Sequence, residues 1–337
     1  MRTTIYRMVF ISFIATLTAV AHAEDKDWTP VGAGTTTVPM DWFDDANWTP
    51  VSVPVDGDLI TADNFVNELV YITIDNSGSG VNLPNSNISF DDKYNIFDSG
   101  AGDLSDIGGD SYDYGAVDDA LIANEIAFNG AGGGANYVYV PVVADTFTSD
   151  RHGAHFYAPI TVNTILANSG HQDKWSINAS PTDVINFIEL DEDRWIDGGE
   201  PGHTIPEGYF AFNADTAVNT LDHVWSSLEV GASATLTVEK INYWDYRNKT
   251  SNNNITPIKL DGNIEATCFN VFDVETSSNT RLAIGTYGRT GQGSVDNEVE
   301  WITAGDGVLT VSTLSCPDDL SCNVIKAANG NIVTFCL

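Results

Sequence analysis

The chain has 337 residues, with 47 Asp and Glu against 14 Lys and Arg, a formal net charge of −33, and 42% hydrophobic residues. So acidic a chain lacks the basic patch that neutralises phosphates, which argues against nucleic acid as a partner and against anionic membrane surfaces. Its apolar and aromatic content sets it apart from disordered chains, and its length can bury a sizeable core as one long domain or two.

The N-terminus reads as an export signal. Arg2 and Arg7 form a positive start, Met8 to Val20 is an apolar run broken only by Ser12, Thr16 and Thr18, and Ala21-His22-Ala23 offers small residues at the cleavage positions. The run is too short for a span, which needs about 20 residues, so a retained anchor is the weaker reading. No Cys lies beside the cleavage point to suggest a lipoprotein. Residues 1–23 are therefore expected to be removed, leaving 24–337 as a secreted protein, extracellular or periplasmic. No later stretch approaches about 18 consecutive apolar residues, so no membrane span is expected in the mature chain.

Next comes Trp42-Phe43-Asp44-Asp45-Ala46-Asn47-Trp48, then Pro54-Val55-Asp56-Gly57-Asp58 and the apolar pair Leu59-Ile60. This resembles the W-x-D-x-x-N-W … P-x-x-G-D segment that opens many secreted bacterial β-solenoid proteins, including autotransporter-type passengers and pectin-lyase-like chains. The resemblance covers about 20 residues and implies fold more than function. It implies that the tryptophans cap the first coil and that the P-x-x-G-D turn leads into the first strand. The chain departs from autotransporters in lacking a long C-terminal series of alternating strands, so the expectation is a short, freely secreted or periplasmic relative.

Beyond this segment, runs of β-prone residues alternate with Asn, Asp, Gly and Ser, and helical periodicity is almost absent. Strands are expected at Leu69–Ile74, Tyr137–Val143, Ile160–Leu166, Ala234–Val238 and Val308–Val311. Two stretches, 91–119 and 191–207, read as long acidic loops, and 243–254 as a third. Val162-Asn163-Thr164-Ile165 resembles Val218-Asn219-Thr220-Leu221, and Gly262-Asn263-Ile264 matches Gly330-Asn331-Ile332. An Asn that bonds its counterpart in the next coil would explain such recurrence, although no strict period emerges. The expected fold is all-β: a right-handed parallel β-helix (solenoid) forming a single domain over 24–337, with a β-sandwich as the alternative.

Candidate chemistry sits mainly in the loops. Asp103, Asp106, Asp110 and Asp113 lie among glycines and offer hard oxygen ligands for calcium; Gly108-Gly109-Asp110-Ser111-Tyr112-Asp113 partly matches the G-G-x-G-x-D repeat. A solvated acidic loop is the competing reading. Glu189, Asp191, Glu192, Asp193 and Asp197, with Arg194, Trp195 and His203, form a second cluster where paired carboxylates could cleave glycosides or a base could serve a lyase. Trp175, Trp195, Trp225, Trp244 and Trp301 could stack on sugars or belong to the core. His152 and His155 lie three apart and on a strand would face opposite sides, which argues against a shared metal. Cys268, Cys316, Cys322 and Cys336 form an even set, which in an exported protein suggests disulfides rather than zinc. Cys316 with Cys322 and Cys268 with Cys336 is one of three possible pairings.

No nucleophile elbow, H-E-x-x-H or phosphate loop is present. The expected function is that of a non-catalytic structural or adhesive protein of the cell surface or extracellular matrix, with polysaccharide or cell-surface components as partners. The alternatives are a polysaccharide lyase or glycoside hydrolase, and a calcium- or glycan-binding module.

Overall fold

A computed structural model describes residues 23–29, 32, 34, 39–63, 70–75, 79–91, 94–97, 119–129, 135–149, 153–168, 175–191, 209–224, 227–245, 258–273, 283–285, 300–304, 309–315 and 334–335. Among them the secondary structure is strand throughout, apart from one short 3-10 turn at Asp45–Asn47. The strands form a 13-stranded and an 11-stranded sheet.

From Leu59 onward the chain visits the two sheets alternately. Leu59–Asp63 joins the larger sheet and Val70–Thr73 the smaller; Val81–Asp91 returns to the larger and Tyr94–Phe97 to the smaller. The alternation continues to Asn263–Asp273, and each new strand lies parallel to the previous one in its sheet. Among the described residues only Asp25–Trp28 and Trp48–Thr49 pair antiparallel, so the antiparallel pairing typical of a β-sandwich is confined to one end. Long parallel sheets built one circuit at a time are consistent with a β-solenoid.

The core follows from register. Ile60, Ile88, Ile126, Phe147, Ile165, Ile188, Leu221, Ile241 and Phe269 occupy one column of the larger sheet, all buried. Opposite them, Ile72, Ile96, Val138, Phe156, Ile177, Phe212 and Val230 form the matching column of the smaller sheet. Between the two runs a chain of aromatic contacts: Phe90 on Phe128 at 5.9 Å, Phe128 on Phe147, Phe156 and Trp175, and Trp175 on Phe210 at 6.0 Å. Stacking like residues in successive circuits keeps core volume constant along the axis, as close packing requires.

From Leu121–Asn129 to Asn263–Asp273, each strand of the larger sheet breaks its in–out alternation once. Two successive residues avoid the core at Asn124-Glu125, Asp145-Thr146, Asn163-Thr164, Asn186-Phe187, Asn219-Thr220, Glu239-Lys240 and Thr267-Cys268. These pairs are in register, so the strands all bend at the same place and the ladder resumes on both sides. The resemblance between 162–165 and 218–221 is thus an equivalence of position, two circuits apart.

Circuit length is not fixed. Ladder partners are 18 residues apart at Val142 and Ile160 but 40 apart at Val81 and Leu121. Most strands hold their register, with a shift in Val81–Asp91 between Leu83 and Asn87, while the connections vary in length.

Several expected elements differ in detail. Tyr137–Val143 is not one strand: Ala135–Val138 lies in the smaller sheet and Val142–Ser149 in the larger, with the crossing at Tyr139–Pro141. Proline cannot donate to a ladder, which places the break there. Tyr94–Phe97, inside the expected loop 91–119, is a strand whose Tyr94 and Ile96 are buried. Tyr243–Asp245, assigned above to a loop, ends the strand Thr235–Asp245.

One end is closed by three tryptophans. Trp28, Trp42 and Trp48 are at most 1% exposed, with Trp48 edge-on to both others at 4.8 Å. The Trp48 indole donates to the Trp42 carbonyl at 2.8 Å, whereas the buried Nε1 of Trp28 finds no acceptor among the described residues. Trp28→Phe removes that unsatisfied donor and keeps most of the ring. It is therefore expected to change unfolding stability by no more than about 1 kcal/mol, measured in urea.

Candidate functional site

The polar side chains of the segment from Asp41 to Asp58 are engaged in local structure. Asp44 caps the short turn, its carboxylate accepting the Ala46 N–H at 2.9 Å. Asp45 accepts the Val53 N–H at 2.8 Å, and the Asn47 amide donates to the Asp41 carbonyl at 2.9 Å. In the following turn Asp58, 2% exposed, accepts N–H groups from Val55 at 2.9 Å and Glu24 at 3.1 Å. Gly57 adopts φ 99°, a left-handed conformation that favours glycine, and its N–H reaches Ser86. Asp56 takes both the backbone and side-chain N–H groups of Asn85 at 2.7 and 2.6 Å, tying this turn to the next circuit. These polar side chains satisfy backbone groups of the cap.

The outer surface of the larger sheet carries rows of polar side chains running across the strands. One exposed row is Asn124, Asp145, Asn163, Asn186, Asn219, Glu239, Thr267 and Ser312. Within it Asn163 donates to Asp145 at 3.3 Å and Asn219 to Asn186 at 3.2 Å, while Asn124 bonds Asn87 at 2.9 Å. Beside it Glu125 accepts from Asn87 at 3.3 Å and Thr148 at 3.5 Å, joining three circuits. Farther along, Glu189 is in register with Asp222 on the next strand. Neighbouring strands lie about 4.8 Å apart, so two half-buried carboxylate-bearing residues stand side by side.

The smaller sheet presents a different outer row. Tyr137 stacks on His155 at 5.0 Å, and His155 Nδ1 lies 2.7 Å from the Ser176 hydroxyl. Tyr139 stacks on Tyr157 at 4.9 Å, followed around the same corner by Asn178, which bonds Ser176, and by Asn213, which donates to Asn178 at 2.8 Å. This aromatic and amide ladder was not recognised as a unit in the sequence, where partners in successive circuits are 18 to 35 residues apart and share no motif. Also missed is Asn136, fully buried, whose amide accepts from Tyr94 N–H and donates to the Gly153 carbonyl. It links three successive strands from inside.

Of the expected site residues, Asp103, Asp106, Asp110 and Asp113 lie outside the described residues, as do Cys316, Cys322 and Cys336. Cys268 is on Asn263–Asp273 at the outward bend, in register with Lys240 and Thr313. Glu189 and Asp191 end the strand Ile185–Asp191, whereas Glu192, Asp193, Arg194, Trp195, Asp197 and His203 are outside the described residues. Trp175 is 1% exposed and belongs to the core, not to a sugar-binding surface. His152 and Trp225 are outside the described residues, while Trp244 and Trp301 lie on strands. Among the described residues no three His, Cys, Asp or Glu side chains are grouped to hold a metal ion, and no helix is long and apolar enough to cross a membrane. Compared with protein-family models, curated proteins and solved structures, the chain shows no match.

Proposed function

We propose that this is a secreted structural or adhesive protein built on a right-handed β-solenoid, acting at the cell surface or in the extracellular matrix. The observation that carries this reading is the exposed row from Asn124 to Ser312, one polar side chain per circuit at about strand spacing. Amide, hydroxyl and carboxylate groups repeated along a rigid face suit an extended partner with its own repeat, such as a polysaccharide. Hydrogen bonds between row members hold the side chains in place and reduce the entropy lost on binding. Calcium held by Asp103, Asp106, Asp110 and Asp113 belongs to the same proposal as a stabiliser of a loop on that scaffold.

A second reading rests on Glu189 and Asp222. Side-by-side strands bring their carboxylates within reach of the roughly 5–5.5 Å separation used by retaining glycosidases. One experiment separates the two. Residues 24–337 are incubated with neutral and acidic polysaccharides, with and without calcium. New reducing ends, unsaturated uronate absorbance and co-sedimentation with insoluble polymers are followed. Binding without turnover is expected. Turnover abolished by Glu189→Gln or Asp222→Asn would replace the adhesive reading with the hydrolytic one.

A further inference from the structure

We infer that removal of the export signal does more than release the chain: it creates an ammonium group that pairs with buried Asp58 and locks the N-terminal cap. The inference rests on the export reading and uses residues on both sides of the cleavage point.

Asp58 is 2% exposed, and among the described residues it makes no ion pair. Its carboxylate is held by two backbone N–H groups, and one of them belongs to Glu24. A carboxylate taken out of water without an opposite charge is costly, and two neutral donors offset that cost only in part. Glu24 is the residue that follows Ala21-His22-Ala23, and both Ala23 and Glu24 are exposed at the start of the first strand. Hydrolysis there adds water across the Ala23–Glu24 bond. The C–N bond breaks, Ala23 leaves as a carboxylate carrying the water oxygen, and the Glu24 nitrogen keeps the bond pair and takes up both water protons to become an ammonium. That nitrogen already stands 3.1 Å from Asp58 Oδ1, so a neutral hydrogen bond becomes a charge-assisted one without movement of the chain.

The surroundings favour the pair. Leu59 N–H bonds the Glu24 carbonyl, fixing the residue from the other side. Lys26, 3% exposed, is engaged by the Glu24 carboxylate at 2.8 Å and by Ser52 at 2.6 Å, so the nearby cation is held elsewhere. Asp56 is occupied by Asn85, and Asp25 and Asp27 are exposed. The cap that this nitrogen secures is the closed, tryptophan-lined end of the fold. The unprocessed precursor would lack the charge and keep a looser end during export.

The sign of the pH dependence is fixed. Pairing raises the folded-state pKa of the amino group above its ordinary value of about 7.7–8.0. The extra stability is therefore fully present below that value and is lost as pH rises through the raised one. The test compares protein whose first residue is Glu24 with protein carrying Gly-Ser before it, each with Asp58 or Asp58→Asn, by urea unfolding. At about pH 6.5 the processed form is expected to have a folding constant at least about tenfold higher, the margin by which bonds to charged groups exceed neutral ones. The difference should vanish by about pH 10 and in Asp58→Asn. If Asp58→Asn does not fold, N-acetylation of Glu24 in the wild-type chain removes the charge alone and must reproduce the Gly-Ser result. Equal stability at pH 6.5, or a gap that survives at pH 10 or after acetylation, overturns the lock. Sequencing the exported protein's N-terminus keeps the two readings apart. A different first residue sinks the processing site, whereas Glu24 without added stability sinks only the lock.

Discussion

Trp48→Ala is expected to cost about 3–5 kcal/mol of unfolding free energy and to make the protein self-associate. The side chain is 1% exposed, packs edge-on against Trp28 and Trp42, and bonds the Trp42 carbonyl. Truncation leaves a void among large rings and strips a buried carbonyl of its donor. It also loosens the two-residue strand Trp48–Thr49 that covers the edge of the larger sheet. Uncovered parallel edges pair with other chains, and in stacked architectures terminal caps maintain solubility. Urea unfolding together with size-exclusion chromatography checks both effects. Trp48→Phe, which keeps an aromatic ring but not the indole N–H, should lose only about 1–3 kcal/mol and stay monodisperse. An unchanged urea midpoint for Trp48→Ala would mean that the cap contributes nothing to the folded state.

Gly262→Ala is expected to be as damaging with the addition of one methyl group. A Cβ there would lie 2.1 Å from the Gly231 carbonyl oxygen and 2.3 Å from that of Ala234. Both belong to backbone that cannot swing aside. The same turn is fixed by Asp261 and Gly262 N–H groups on the Val230 carbonyl and by Asn263 N–H on Ala234. Relieving the clash requires separating two circuits, so a loss of about 3 kcal/mol or more is expected. Hydrogen exchange at Thr235–Asp245 and Asn263–Asp273 should show where the damage spreads, because each circuit contacts mainly its neighbours. Gly231→Ala makes an informative contrast. Its nearest obstacle, at 2.8 Å, is the side-chain oxygen of Asn213, which can rotate away, so a smaller loss is expected.

The strand character of the chain was legible because β-branched and aromatic runs stand between Asn, Asp, Gly and Ser. Ile160–Asn168 and Thr235–Asp245 fall where those runs begin. The W-x-D-x-x-N-W segment was legible for a local reason, since its side chains bond within a few residues of themselves. What escaped was nonlocal. Tyr137 to Val143 reads as one apolar run, yet it passes from one sheet to the other, and nothing short of Pro141 marks the crossing. Tyr94 to Phe97 was hidden between acidic stretches because a strand of four residues alternates only twice. Asp222 was not linked to Glu189, nor Ser176 to His155, because circuits of unequal length leave no constant offset between partners. Asn136 looks like any turn-forming asparagine until the strands on either side of it are in place.

That inequality of circuits has a practical consequence. Where ladder partners are separated by 18 residues in one circuit and 40 in another, the connecting segments differ in length while the columns of Ile, Leu and Phe stay buried and in register. The entropic cost of a longer loop rises only with the logarithm of its length. The scaffold is therefore a natural display frame: foreign peptides grafted between its strands would project at positions fixed by strand spacing, on a rod whose length is set by the number of circuits.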